Sequence, residues 1–71
     1  MSLPIISGGE LIRYLARQGF ENKRQKGSHV FMVHPDGRRT TIPIHRELAR
    51  GTLRVILIQV NELERFIEDS E

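Results

Sequence analysis

Apolar positions recur along the chain with periods that change twice. Leu11, Ile12, Leu15 and Ala16 fall on one helical face, and Ser7 followed by Glu10 three residues later has the capping-box pattern of a helix start. The pattern predicts a first helix over residues 8–18, stopped at Gly19, with Phe20 turning back to the core. Residues 20–26 are polar after that aromatic, as in an edge strand whose charges discourage pairing with other chains. After Lys26-Gly27, the run Ser28-His29-Val30-Phe31-Met32-Val33-His34 is apolar on both parities, which suits a central strand. Pro35-Asp36-Gly37 signals a turn, and residues 38–44 form a third strand in which Pro43 implies an edge position or an early end to pairing.

A linker over residues 45–51 precedes a second helix, with Thr52 as its cap and Leu53, Ile56, Leu57 and Val60 at positions i, i+3, i+4 and i+7. Beyond it, either Asn61 caps a short third helix or the pattern continues through Leu63, Phe66 and Ile67 to Asp69. Val55 and Ile58 lie off the main stripe, which leaves open a wider core or a surface for a partner or second copy. The order is helix, three antiparallel strands, helix, with both helices on one face of the sheet and the other face free. This is an α+β layer like that of double-stranded-RNA-binding domains.

Register decides which residues the free face carries. A two-residue Asp36-Gly37 turn would pair His34 with Arg39, Met32 with Thr41, Val30 with Pro43 and Ser28 with His45. His29, Phe31, Val33, Thr40, Ile42 and Ile44 would then face the core, while Ser28, His34, Arg39, Thr41 and His45 face outward. A one-residue slip in the turn would exchange the two faces.

With 71 residues, a single domain spanning 1–71 is expected, and it buries a modest share of its surface unless a partner covers more. The chain has no cysteine, which removes disulfide and thiolate chemistry and fits a reducing cytoplasm. No apolar run approaches the roughly 18 residues of a membrane span, and Met1-Ser2-Leu3-Pro4 lacks the features of a signal peptide. A cytoplasmic protein with no membrane association is expected. The net charge of +2 hides an asymmetry. Ten basic residues between Leu11 and Arg54 face only Glu21, Asp36 and Glu47, whereas after Val55 only Arg65 opposes five acids. The basic part suits either a polyanion such as nucleic acid or an ordinary solvated surface.

Three histidines are the side chains that titrate near neutrality without special tuning, and RNA cleavage by internal 2′-OH attack takes a proton from one oxygen and gives one to another. His29 follows Lys26-Gly27-Ser28, where a cation, a permissive backbone and a hydroxyl can together handle a phosphate; a structural histidine is the other reading. His34, beside Pro35, reads as a turn-flanking surface residue. The histidines are not at helical i, i+4 spacing and no carboxylate completes a triad with them, so neither a metal nor another cofactor is expected.

Ser7-Gly8-Gly9-Glu10-Leu11, Gly19-Phe20, Arg24-Gln25-Lys26-Gly27-Ser28-His29, His34-Pro35-Asp36-Gly37-Arg38, Ile42-Pro43-Ile44-His45 and Gly51-Thr52-Leu53-Arg54 together resemble the HicA (YcfA-like) mRNA interferase family over nearly the whole chain. The resemblance implies a toxin of a type II toxin–antitoxin pair, a ribonuclease acting on mRNA, and neutralisation by a HicB-like antitoxin. The family's catalytic histidine carries over to His29 and its proline-linked histidine to His45. The acidic tail from Glu62 departs from the many relatives that stop soon after the second helix, and leaves the docking of that tail open.

The expected activity is therefore metal-independent RNA cleavage with His29 as acid or base, Lys26, Gly27, Ser28 and His45 in support, and Lys23, Arg24, Arg38, Arg39 and Arg46 on the phosphates. Two other readings stand beside it: a non-catalytic RNA-binding module with the same fold, and a protein-interaction adaptor using Val55 and Ile58. A homodimer is also left open.

Overall fold

The computed structural model describes residues 3–70. Its elements are α1 (Gly8–Arg17), β1 (Glu21–Lys26), β2 (His29–Val33), β3 (Arg39–Pro43), α2 (Arg50–Gln59) and α3 (Leu63–Asp69). The capping box opens α1 as expected: the Glu10 amide donates to Ser7 Oγ at 3.0 Å and the Ser7 amide donates to Glu10 Oε1 at 3.1 Å. The helix closes with Gly19 at φ +99°, its amide donating to Ala16 O and that of Phe20 to Leu15 O, the paired bonds of a Schellman stop. Its buried face is Gly8, Leu11, Tyr14 and Leu15. Ala16, expected on that face, is exposed, and Tyr14 takes the inward position.

The strands form an antiparallel sheet in the order β1-β2-β3, so the apolar run is central and the polar run lies at an edge. A two-residue turn, Gly27-Ser28, joins β1 to β2, with Gly27 at φ +59° as a type II′ turn requires. The turn between β2 and β3 has three residues, not two. The His34 amide donates to Arg38 O at 2.7 Å, the Gly37 amide returns to His34 O at 2.9 Å, and Gly37 takes φ +97°, the pattern of a turn followed by a glycine bulge. This slips the expected register by one residue. Phe31 pairs with Thr41, Val30 with Ile42 and His29 with Pro43, and the Ile44 amide donates to Ser28 O. The slip exchanges the faces of β2 relative to the expectation, while β3 keeps the faces expected of it. Val30, Met32, Thr40 and Ile42 face the helices and are buried, while His29, Phe31, Val33, Arg39 and Thr41 lie on the open face.

The helices pack on one side of the sheet, α1 on β1 and β3 and α2 on β3, over a core of Leu11, Leu15, Val30, Met32, Ile42, Leu53 and Leu57. The α2 stripe Leu53, Ile56, Leu57 and Val60 is buried as its spacing predicts. The helix begins earlier than expected: Ala49 is its cap, and Thr52 sits inside the first turn. Buried Leu48 anchors the linker, its amide donating to Ile6 O, so the chain is already positioned to turn at Ala49. Asn61, at φ +55°, ends α2 in the left-handed conformation and does not cap the next helix. A separate α3 then docks Phe66 edge-on against Tyr14, with ring centroids 5.0 Å apart. Val55 and Ile58 are 65% and 54% exposed, so the wider-core reading fails.

One contact ties α1 to the end of the sheet. The Gly8 amide donates to His45 O, and a Cβ on Gly8 would lie 2.1 Å from Pro43 O, on a strand end that is itself bonded to Ser28. Backbone on both sides leaves no flexible side chain to yield. Gly8→Ala is therefore expected to cost about 1–3 kcal/mol, read as a lowered midpoint in chemical unfolding. Gly51→Ala, where a Cβ would meet nothing within 4 Å, is the control and should not destabilise.

Candidate functional site

Antiparallel pairing places directly opposed side chains on one face of a sheet, so the open face can be read as three rows. Lys26, His29 and Pro43 form the first, Arg24, Phe31 and Thr41 the second, and Glu21, Val33 and Arg39 the third. The Lys26-Gly27-Ser28-His29 segment thereby acquires a geometric meaning. A two-residue turn forces its flanking residues to be partners, so the lysine ammonium and the imidazole leave the sheet side by side. Gly27 and Ser28 are both exposed in the turn, and Ser28 contributes its carbonyl to the Ile44 amide.

Two shallow depressions meet at His29. The first is bounded by Arg24, Lys26, His29, Phe31 and Thr41. The second runs from His29 and Thr41 over Pro43 to Gly51, Thr52, Val55, Ile56 and Gln59 on α2. One flank of the histidine is cationic, the other largely apolar. His29 is exposed and lies on the same face as Phe31 and Val33, as strand alternation requires, but that face is solvated.

The other histidines are placed differently. His45 is exposed beside the N-terminus of α1, where its carbonyl accepts the Gly8 amide, and it lines neither depression. His34, expected as a surface residue, is half-buried and bonded on both ring nitrogens. Nε2 lies 3.1 Å from Gln18 O and Nδ1 accepts the Asp36 amide at 3.1 Å. A carbonyl can only accept, so Nε2 carries the proton. The 3.0 Å approach of Nδ1 to the Asp36 carboxylate becomes an ion pair only if the ring gains a second proton. The ring edge also packs on Phe20 with centroids 5.0 Å apart, so His34 holds the turn to the exit of α1.

The cations divide in the same way. Arg24 and Lys26 line the first depression, and Arg39 lies two residues further along the open face on β3. Lys23 occupies an irregularity of β1 and pairs with Glu21 at 3.2 Å, both largely exposed; Arg46 is exposed in the linker. Arg38 is not free. Its guanidinium meets Asp36 Oδ2 at 2.7 Å, Val60 O at 2.7 Å and Glu62 Oε2 at 2.8 Å, and stands over the Phe20 ring at 5.1 Å. Glu62 first, then Asp36, raise the arginine above its ordinary value, so it stays charged. The amide of Arg38, then its side chain, hold the Asp36 carboxyl below its usual range. Arg38 thus clamps the β2–β3 turn to the α2–α3 junction, a role its place in a basic run did not indicate.

Tyr14 lies beneath α3, on the helical side of the sheet. Burial, aided by Glu62 and Asp69, pushes its hydroxyl up to about 12, so it is no proton donor for chemistry on the open face. Among the described residues no three or more His, Asp or Glu side chains converge as a metal cage, and no helix is long and apolar enough to cross a membrane.

An open sheet face rich in cations, backed by helices on the other side, defines an α+β module of the double-stranded-RNA-binding type. A family model described as the HicA toxin of bacterial toxin-antitoxin matches residues 8–61, most of the chain, and the chain belongs to the HicA toxin family. It is a toxin of the toxin–antitoxin class, and that class implies an antitoxin partner. The match includes both depressions and ends just before α3. No curated protein matches the chain.

Proposed function

We propose that this toxin is a metal-independent endoribonuclease of the cytoplasm that cleaves mRNA on the open face of its sheet, with His29 as the proton-transfer group. The observation that carries this reading is the exposed His29 directly opposite Lys26, at the edge of a depression walled by Arg24. The imidazole takes the proton of a ribose 2′-OH, the 2′-oxygen attacks the adjacent phosphorus, and the bond to the 5′-oxygen breaks. The strand then ends in a 2′,3′-cyclic phosphate, and the leaving oxygen takes a proton from solvent at this open site. Lys26 and Arg24 offset the charge that builds on the phosphoryl oxygens, the contribution that preorganised cations make to such transition states. Arg39 extends the phosphate track along the face, while Lys23 and Arg46 act at longer range through the field.

The partner is a HicB-like antitoxin. Val55 lines the depression that reaches His29, so a protein seated on the exposed Val55 and Ile58 of α2 can cover the imidazole. That exposed apolar surface is the seat assigned here to the antitoxin.

Purified toxin incubated with single-stranded RNA in the presence of a chelator should produce discrete fragments, and the antitoxin should suppress them. Tight, salt-sensitive binding with the RNA left intact after long incubation would contradict the enzymatic reading and favour a non-catalytic RNA-binding module.

A further inference from the structure

We propose that Phe31 is a stacking platform for one unpaired base, which makes single-stranded RNA the substrate of this face; the inference rests on the ribonuclease reading above. The chain has four aromatic rings of the Phe and Tyr type. Tyr14, Phe20 and Phe66 are buried on the helical side, where Tyr14 pairs with Phe66 and Phe20 with the His34 ring. Phe31 alone stands on the open face, half-buried and outside the core cluster. Its cross-strand partners are Arg24 and Thr41, and all three line the depression that holds His29.

A phenyl ring set among cations on a solvated sheet does not serve the core. It does offer what a nucleotide needs, a flat apolar surface for the base beside positive charge for the phosphate. His29 and Phe31 are two residues apart on one strand and share a face, a spacing of about 6.7 Å. A base on Phe31 therefore puts a neighbouring sugar and phosphate beside the imidazole. Bases in a duplex are already stacked and paired, with their faces closed to a protein ring, so only an unpaired strand can use this seat. Thr41 adds a hydroxyl next to the ring that can bond a base edge. Stacking itself accepts any base.

The test uses a short fluorescent RNA carrying 2′-O-methyl groups throughout, which cannot be cleaved, both as a single strand and annealed to its complement. The single strand should bind more tightly than the duplex. Phe31→Leu, which keeps apolar bulk but loses the flat ring, should weaken single-strand binding roughly 5- to 100-fold, while Phe31→Trp stays close to the native chain. With cleavable RNA, the Leu variant should show its loss mainly in KM. Near-native unfolding midpoints for both variants separate stacking from folding.

Equal affinity of the Leu variant and the native chain for the single strand would overturn the proposal. So would duplex binding as tight as single-strand binding, or a Leu variant impaired only toward the antitoxin, which would assign the ring to a protein partner. Because the probe cannot react, failure of the native chain to cleave ordinary RNA would defeat the ribonuclease reading while leaving stacking tested on its own.

Discussion

Replacing His29 with alanine is expected to slow RNA cleavage by roughly 10²–10⁴-fold, the range that a positioned proton-transfer group contributes. RNA binding and the unfolding midpoint should change little. The side chain is exposed at the start of β2 and covers no core residue, so its removal opens no cavity. Its neighbours Lys26, Arg24 and Phe31 remain to hold the strand. The same substitution should abolish growth arrest on induction in cells. Full cleavage by the alanine variant would refute the assignment. Loss of binding in parallel with cleavage would instead give His29 a positioning role. His45→Ala, outside both depressions, should retain most activity.

The second large effect falls on stability. Arg38→Ala removes the charge that faces Glu62, a carboxylate whose side chain is 5% exposed, and leaves it only Arg65 at 3.7 Å. It also frees the Val60 carbonyl and breaks the pair with Asp36. Breaking one side of a buried pair costs about 3–5 kcal/mol because the remaining charge is uncompensated. The partial exposure of Arg38 puts the expected loss at the lower end, about 3 kcal/mol, or a fall in Tm of roughly 12–24 °C for a domain of this size. Substituting Glu62 by Gln in the same chain should recover part of the loss, since the buried charge is then gone. Asp36 adds a pH dependence of definite sign. Its carboxyl is held below the ordinary range, so the stability it lends is present above about pH 4. That contribution is lost as the pH falls through the lowered value. Exposed Arg39→Ala should leave the midpoint within about 0.5 kcal/mol of native. An Arg38→Ala variant as stable as the Arg39→Ala variant would contradict the clamp.

The elements were legible in the residues because each rests on local chemistry. The Ser7-Glu10 box, the Gly19 stop, the polar edge strand and the α2 stripe all appear where the spacing put them. The register was not, because Pro35-Asp36-Gly37 is compatible with turns of two or three residues. The deciding bond, from the His34 amide to Arg38 O, joins residues whose pairing no propensity encodes. That single residue of slip moves His29 and Phe31 from an expected core face to the solvated one, so the accessibility of the candidate site was the part least readable in advance. Arg38 and His34 were misplaced for a related reason. Their partners Val60, Glu62 and Gln18 lie 16 to 24 residues away, and only the assembled fold brings them together. Phe31 was expected in the core because it lies in an apolar run, where only the strand's alternation, once the register is known, separates it from Val30 and Met32.

The most direct measurement compares two strands of identical sequence, one all-ribose and one all-deoxyribose, incubated with the purified toxin in chelator. Internal attack requires the 2′-OH, so the ribose strand should be cut to fragments ending in 2′,3′-cyclic phosphate while the deoxyribose strand, though bound, stays whole. Cleavage of both strands, or a ribose strand that is bound and left intact, would contradict the account.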